Sequence, residues 1–245
     1  MDNIQFCFAG STPALTHAIQ KLTAQGYPVT PDTNLGVTHL LLPVPSFDPD
    51  GSIKGGGDLT DTLAQLPNDV VILGGLLDRP ELKDRQCMDL LKDPLYTALN
   101  ANITAHCAIK LMLNKLPATL DEQQVLVIGW GRIGKCLARL LKNMGAQVTV
   151  AARKESDRVI LAALGYRATD TQSIDTLPYR VIFNTVPQML CPQCPGDGIK
   201  IDLASQLGLG GEDVIWARGL PGKDAPESSG ALIAETAIRL VHGKE

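Results

Sequence analysis

The stretch that most constrains the fold runs from 125 to 152 and reads VLVIGWGRIGKCLARLLKNMGAQVTVAA. An apolar run leads into a Gly-x-Gly-x-x-Gly motif, an Ala/Leu-rich helical pattern follows, and a second apolar run closes the unit. This order is typical of a dinucleotide-binding βαβ unit, because the glycines allow a tight turn, close approach of a pyrophosphate and close helix–strand packing. We therefore predict that the phosphates bind at the helix N-terminus. The candidate cofactor-binding residues here are Gly129, Trp130, Gly131, Arg132, Ile133 and Gly134.

The end of the second predicted strand indicates which nucleotide binds. NAD-specific sites usually carry Asp or Glu about 20 residues after the motif, where the carboxylate binds the ribose 2′-hydroxyl. Arg153 and Lys154 take that place here. A carboxylate would repel a 2′-phosphate, whereas arginine offers a planar set of donors that can bind one. We predict NADP as the cofactor, with NAD as the alternative if both cations are only solvated.

Strand and helix patterns alternate along the whole chain, which predicts the α/β class. The runs at 4–10, 38–44 and 69–75 are continuous and apolar, as in strands buried on both faces of a parallel sheet. We predict two Rossmann-like domains with parallel sheets and a cofactor cleft between them. The expected parts are a flavodoxin-like substrate or partner domain over 1–99, an inter-domain helix over 100–118, an NAD(P)-binding domain over 119–226, and a C-terminal helix over 227–245 able to return to the first domain. The Gly/Pro/Asp-rich segment 45–60 is expected to be a mobile loop.

Composition excludes several classes of protein. The net charge of −4 and the pI of about 5.6 give no general affinity for nucleic acid or anionic membranes. The longest apolar runs are much shorter than the roughly 20 residues that span a bilayer. The first residues lack the basic region of a signal peptide, and six cysteines without export features indicate reduced thiols. We expect a cytoplasmic protein.

Three further segments follow the glycine motif in order: Asn184-Thr185-Val186-Pro187, Asp202-Leu203-Ala204-Ser205, and a loop over 219–226 that contains Leu220 and Pro221. With GWGRIG and AAR, this series resembles the family of dipicolinate synthase A subunits, whose architecture is like that of 2-hydroxyacid dehydrogenases. The resemblance is close over 94–241 and looser before that. It implies that 184–187 and 202–205 line the nicotinamide half of the site and that 219–226 close over it. Independently of the resemblance, the first two segments fit the rule that ligands of open α/β sheets bind beyond the carboxyl ends of strands.

The resemblance also implies an activity. It implies an NAD(P)-dependent oxidoreductase that forms dipicolinate during sporulation from a dihydro or hydroxylated tetrahydro precursor, a small dicarboxylate, together with a flavoprotein-like B subunit. Such an oxidation needs a base, and histidine titrates nearest to neutral pH. His106 in the predicted inter-domain helix is our candidate base, with Thr104 as a hydroxyl donor and Lys223 as a cation. The structural alternatives are a helix-surface or hydrogen-bonded core histidine, a helix cap and a surface charge.

Three segments depart from the family pattern and keep other functions open. The family's Gly-Gly-Asp-x-Arg turn corresponds to 10–13, its Thr-x-Glu-Gly to 104–107 and its Lys-Thr-Ala-Gly to 227–230, and each has lost charged groups. One alternative is a non-catalytic NADP(H)-binding subunit that docks a partner. Another is an NADP-dependent dehydrogenase of a different small 2-hydroxy or 2-amino acid. A homo-oligomer is compatible with the amphipathic segments.

The pair Cys191 and Cys194 forms a Cys-x-x-Cys with no second pair in the sequence to complete a zinc site. Pro192 within the pair and Pro195 directly after it place it in a loop. We predict no metal and a reduced pair without function.

Overall fold

Two separate parallel sheets organise the chain. The computed structural model describes residues 4–33 and 36–243; the ends of the predicted first domain and C-terminal helix, 1–3 and 244–245, lie outside the described residues, as do 34–35. The strands are β1 (Phe6–Phe8), β2 (Val29–Thr30), β3 (His39–Leu41), β4 (Val71–Gly74), β5 (Cys87–Asp89), β6 (Gln124–Ile128), β7 (Gln147–Ala151), β8 (Arg167–Thr169), β9 (Val181–Asn184), β10 (Ile199–Asp202) and β11 (Val214–Trp216). The helices are α1 (Pro13–Ala24), α2 (Leu59–Ala64), α3 (Pro94–Leu113), α4 (Arg132–Asn143), α5 (Glu155–Ala163), α6 (Leu220–Asp224) and α7 (Pro226–Val241), with 3-10 turns at Pro80–Leu82 and Leu90–Lys92.

The chain divides into two units, which we call unit 1 (Met1–Asn100 with Pro221–Glu245) and unit 2 (Ala101–Leu220). In the described part of unit 1 the strand order is β2-β1-β3-β4-β5 and every pair is parallel. This is the 2-1-3-4-5 order of flavodoxin-like sheets. The central strand β3 is buried along its whole length, as its apolar sequence predicts.

Unit 2 carries the second parallel sheet, with the order β11-β10-β9-β6-β7-β8 among the described strands. Counted from β6, this is the 3-2-1-4-5-6 order of a dinucleotide-binding Rossmann fold. The predicted α/β class with two parallel sheets is therefore confirmed. The edge strands β8 and β11 were not predicted, because each has only three residues and none of the six is buried.

Helices α1 and α7 pack against each other within unit 1. Thr12 starts α1, since its Oγ1 accepts the N–H of Leu15 at 3.2 Å. Gly230 of α7 permits the close approach: a Cβ at this position would lie 2.5 Å from the carbonyl oxygen of Ala14 and 2.5 Å from Cβ of His17. Side chains larger than hydrogen do not fit at this crossing.

Residues 46–54 of the segment 45–60 form a hairpin within unit 1, and Leu59 and Thr60 begin α2, while the expected mobility of the segment stays a prediction. Phe47 and Ile53 pair in an antiparallel bridge, and the N–H of Lys54 donates to the carbonyl of Ser46 at 2.9 Å. Ile53 has no exposed surface. The prediction weighed the glycines and prolines of the segment and overlooked Ile53, the buried side chain of the hairpin.

Among the helices of the described residues, none combines the length and the apolar character that crossing a membrane requires.

Candidate nucleotide-binding site

The site lies at the carboxyl edge of the unit 2 sheet, where the strand order reverses. The last residues of three neighbouring strands are paired in register, Ile128 of β6 with Asn184 of β9, and Asn184 with Asp202 of β10. Chain order runs outward in both directions from the β6–β9 pair, which leaves a crevice above these strand ends. The predicted segments 129–134, 184–187 and 202–205 therefore begin at one edge of one sheet.

The three glycines of the turn after β6 have different surroundings. Gly129 has φ +106°, and a Cβ there would collide with Oγ1 of Thr185. A Cβ on Gly134 would collide with the carbonyl oxygen of Gly129, so this glycine lets α4 pack against the turn. A Cβ on Gly131 would meet no protein atom within 4 Å. Only the first and third glycines are needed by the protein itself, and the second faces open space that a ligand can occupy.

The first turn of α4 is suited to an anion. Gly131 is its N-cap and provides no side-chain acceptor, and the first turn has no acidic residue. The first N–H groups of a helix have no partner inside the helix, and the helix dipole is positive at this end. A pyrophosphate fits this charge and these donors. Arg132 is exposed beside it, and Ile133 is half-buried.

A cavity of about 250 Å³ adjoins the glycine turn. Its walls combine apolar side chains with charged ones and are formed by Gly129, Trp130, Ala152, Arg153, Lys154, Asp157, Thr171, Val186, Gln188 and Leu190. The Trp130 ring is held in place by an edge contact with Tyr166, whose ring centroid lies 6.0 Å away. A flat apolar wall beside exposed cations suits the adenosine half of a dinucleotide, so the residues present fit this cofactor.

The structure thus brings together five of the predicted residues, Gly129, Trp130, Arg153, Lys154 and Val186. Sequence reasoning missed the other five members of the cavity wall. The position of Thr171, two residues beyond the end of β8, could have indicated it, because strand ends form the ligand site in such sheets. The corresponding signal for Gln188 and Leu190 is the loop that follows β9.

One missed residue, Asp157, puts a carboxylate into the same cavity as Arg153 and Lys154. It lies in the first turn of α5, and its N–H donates to the carbonyl of Lys154 at 3.1 Å. A carboxylate is the usual partner of a ribose hydroxyl, whereas arginine is the usual partner of a phosphate. The cavity therefore holds groups of both kinds, with the cations at the end of β7.

Asn184 and Asp202 have no exposed surface, and their polar atoms bind other parts of the protein. Asn184 uses Oδ1 to accept the N–H of Val186 at 3.0 Å, and its Nδ2 donates to the carbonyl of Val186 at 3.0 Å. The Asp202 carboxylate accepts from Asn184 Nδ2 at 2.9 Å and from three backbone N–H groups, those of Ala204, Gly208 and Leu209. Both side chains therefore shape the loops that follow β9 and β10, and their burial keeps them from touching a ligand directly.

The residues that follow Asn184 and Asp202 differ in their exposure to solvent. Thr185 is half-buried, and its Oγ1 donates to the carbonyl of Ile128 at 2.9 Å, which joins the two strand ends. Pro187 and Ser205 are exposed. Leu203 and Ala204 are buried, and the carbonyl of Ala204 accepts the indole N–H of Trp216 at 3.0 Å.

Two of the predicted catalytic residues, Thr104 and His106, do not converge in the described structure. Thr104 is buried in α3, whereas His106 of the same helix is exposed. Side chains two positions apart on a helix point roughly 200° apart, so these two cannot act on one atom from this helix.

The third predicted catalytic residue, Lys223, is exposed in α6. Leu220 and Pro221 are the first residues of that helix, so the expectation of a loop over 219–226 was wrong. A short helix of this kind was missed because its sequence, LPGKD, contains both proline and glycine, which usually indicate a turn.

All six cysteines are free, and burial raises the pKa of the Cys194 thiol to about 11. Cys191 is half-buried, and its thiol donates to the carbonyl of Gln193 at 3.0 Å. Across residues 4–33 and 36–243, no group of three or more His, Cys, Asp or Glu is arranged to hold a metal ion.

Comparison with known proteins agrees with this geometry. Residues 98–177 match the family model for the NAD-binding domain of D-isomer specific 2-hydroxyacid dehydrogenases. This segment contains the glycine turn, α4, Arg153 and Lys154. The match supports a nicotinamide nucleotide as the cofactor.

The A subunit of dipicolinate synthase from Bacillus subtilis is 27% identical over 161 residues, an alignment that covers 58% of this chain and 53% of that protein. The chain thus spans about half the length of this curated relative. The crystal structure of the corresponding protein from Bacillus halodurans aligns with 98% of each chain at 20% identity and a TM-score of 0.82. The crystal structure from Bacillus subtilis aligns with 99% of this chain and 97% of its own at 21% identity and a TM-score of 0.78. The likeness to the solved structures shows the fold, and together the comparisons confirm the predicted resemblance to the dipicolinate synthase A subunits.

Proposed function

We propose that the chain is an NADP(H)-dependent oxidoreductase that oxidises a dihydrodipicolinate-like cyclic dicarboxylate to dipicolinate. The observation that carries the nucleotide part is the cavity beside the glycine turn, where Arg153 and Lys154 stand at the end of β7. The substrate part rests on the similarity to the A subunit of dipicolinate synthase. Action in the cytoplasm during sporulation, beside a B subunit, belongs to the same proposal.

In this proposal each part of the nucleotide has its own binding residues. The open face of Gly131 and the first turn of α4 bind the pyrophosphate, and Arg153 with Lys154 binds the 2′-phosphate. Trp130 and Val186 pack on the adenosine, while the segments after β9 and β10 extend toward the nicotinamide. The bound nicotinamide would supply a hydride acceptor. His106, exposed on α3, is the proposed base for the proton that leaves the substrate, and Lys223 is the proposed cation for a carboxylate.

Calorimetric titration tests the nucleotide part of the proposal. NADPH and NADH are titrated by calorimetry into the intact chain and into Arg153→Ala and Asp157→Asn. Each charge-assisted hydrogen bond to the phosphate contributes about 1–2 kcal/mol after discounting for exposure, so Arg153→Ala should weaken NADPH roughly 5- to 30-fold and leave NADH unchanged. Asp157→Asn serves as the matched control in the same cavity. If Asp157→Asn weakened NADH binding and Arg153→Ala changed the affinity for neither nucleotide, the cofactor would be NAD, with Asp157 bound to the ribose.

Hydride transfer tests the substrate part. The intact chain is incubated with NADP and freshly formed dihydrodipicolinate, and reduced nicotinamide is followed by its absorbance. Dipicolinate that appears in proportion to NADPH supports the proposal. His106→Ala should then lower turnover while NADPH binding stays unchanged, and equal turnover in this variant would remove His106 as the base.

A specific observation favours a second candidate function, a nucleotide-binding subunit without turnover of its own. In unit 1 the hairpin 46–54 covers the turn after β1. The N–H of Ser11 in that turn donates to the carbonyl of Lys54 at 3.0 Å. A Cβ on Gly55 would collide with the backbone of Ser11, so the two segments are in direct backbone contact. The turn that in flavodoxin-like sheets borders the ligand crevice is thus occupied by the protein itself. NADPH binding without any hydride transfer would select this function.

A further inference from the structure

We propose that Arg158 and Asp170 form a brace that positions Arg153 for the 2′-phosphate, so that these two residues determine the preference for NADP(H) without contacting the phosphate. This inference rests on the proposed NADP(H) specificity. Neither residue belongs to the glycine motif, and neither lines the cavity itself.

The contacts of Arg158 converge on the turn that carries Arg153. Its Nη1 donates to the carbonyl oxygen of Ala152 at 2.8 Å and to that of Arg153 at 2.9 Å. The same nitrogen lies 2.6 Å from Oδ2 of Asp170. One guanidinium group from α5 thus binds the two peptide carbonyls on either side of the Arg153 Cα, from which the side chain projects.

Asp170 connects this turn to the part of the cavity wall that follows β8. Its Oδ1 accepts the N–H of Gln172 at 2.9 Å, which fixes the backbone around Thr171, a residue of the cavity wall. The N–H of Ala152 also donates to the carbonyl of Thr169 at 3.0 Å. The brace therefore fixes the separation between the end of β7 and the end of β8.

The brace matters for a phosphate because Arg153 has a long side chain that is exposed and must be held in one direction to bind. A cation that is already aimed at the phosphate loses less conformational entropy on binding than one that moves freely. NADH has no 2′-phosphate and makes no use of this alignment. Loosening the brace should therefore weaken the binding of NADPH and leave the binding of NADH unchanged.

The partial burial of the brace makes its effect measurable. The side chains of Arg158 and Asp170 are 25% and 32% exposed, so the pair is screened less than a fully exposed one. In Asp170→Asn the acceptor for Gln172 is retained and the charge that holds Arg158 is lost. In Arg158→Lys the charge is retained, but the shorter side chain no longer places a donor at the position of Nη1.

The experiment measures the dissociation constants of NADPH and NADH by calorimetry for the intact chain, Asp170→Asn, Arg158→Lys and a control, Arg167→Lys. Arg167 begins β8, at the opposite end of that strand from Asp170, and its Nη1 donates to Oε1 of Gln124 at 3.2 Å. We expect each brace variant to bind NADPH about tenfold more weakly and NADH within about twofold of the intact chain. The control should change neither constant.

The ratio of the two constants separates positioning from general structural support, since a purely structural role would weaken both nucleotides equally. Equal weakening overturns the inference. Tighter NADPH binding in Asp170→Asn also overturns it, because it would mean that Asp170 only withholds Arg158 from the phosphate. If Arg153→Ala abolishes the preference and both brace variants retain it, the brace fails and the proposed cofactor stands. If the intact chain shows no preference, the proposed specificity fails and the brace with it.

Discussion

The contrast between Gly131 and Gly134 gives the sharpest test of the site. In Gly131→Ala the new methyl group meets no protein atom within 4 Å, and φ at this residue is −82°, a value open to any residue. Alanine costs about 0.5–1 kcal/mol at an N-cap relative to glycine and restricts the unfolded chain by about 0.4–1 kcal/mol, so the two effects nearly cancel. The free energy of unfolding should change by less than about 0.5 kcal/mol.

Nucleotide binding by the same variant should fall strongly. The methyl group would occupy the space where a pyrophosphate reaches the N–H groups of α4, and the loss of one charge-assisted hydrogen bond of about 1.5–3 kcal/mol corresponds to roughly 10- to 150-fold in affinity. NADPH and NADH share the pyrophosphate, so both should weaken by the same factor. This pattern differs from that of Arg153→Ala, which affects only NADPH.

Gly134→Ala is the matched comparison, because its methyl group would collide with the carbonyl oxygen of Gly129. Forcing this contact should cost about 1–3 kcal/mol of unfolding free energy. Urea unfolding followed by far-ultraviolet circular dichroism measures the stability of both variants, and calorimetry measures the affinities. Unchanged nucleotide binding in Gly131→Ala would refute the assignment of this open face to the pyrophosphate. Equal stability losses in the two variants would refute the packing argument.

Two further predictions concern unit 1. Gly230→Val should lower the unfolding free energy by about 1–3 kcal/mol, because its side chain would have to enter the contact with Ala14 and His17; a denaturant midpoint equal to that of the intact chain would contradict this. Burial raises the pKa of Asp93, but the N–H of Tyr96 and the guanidinium of Arg239, whose Nη2 lies 2.6 Å from Oδ1, together lower it by more, so the pKa is below its usual value. The contribution of this carboxylate to the free energy of unfolding is therefore present above about pH 4 and is lost as the pH falls through the lowered pKa. Asp93→Asn should make the free energy of unfolding depend less steeply on pH in this acid range. An unchanged slope would contradict this prediction.

Much of the fold followed from local patterns. The apolar runs of β1, β3, β4, β6, β7 and β9 predict buried parallel strands because no polar face is needed when helices cover both sides of a sheet. Part of the glycine motif is equally local, since the positive φ of Gly129 and the contact between Gly134 and Gly129 lie within the turn itself. These features needed no knowledge of what lies opposite.

The parts that sequence reasoning missed depend on contacts between distant segments. The cavity wall joins the ends of β6, β7, β8 and β9, so Asp157 and Thr171 meet Gly129 only after the sheet has formed. The hairpin at 46–54 is closed by a bridge between Phe47 and the buried Ile53, a contact that the many turn residues of this segment do not indicate.

The sequence by itself determined that this chain has a dinucleotide-binding turn, because glycine is demanded there by geometry within a few residues. It also determined that cations instead of a carboxylate end β7. Only the tertiary structure decided that Asn184 and Asp202 bind each other and the neighbouring backbone, that Thr104 and His106 face apart, and that Arg158 reaches Asp170 across the end of the sheet. The physical reason is that a side chain's role depends on which donors and acceptors remain unpaired after folding, and this is set by strand order and register, which no local pattern contains.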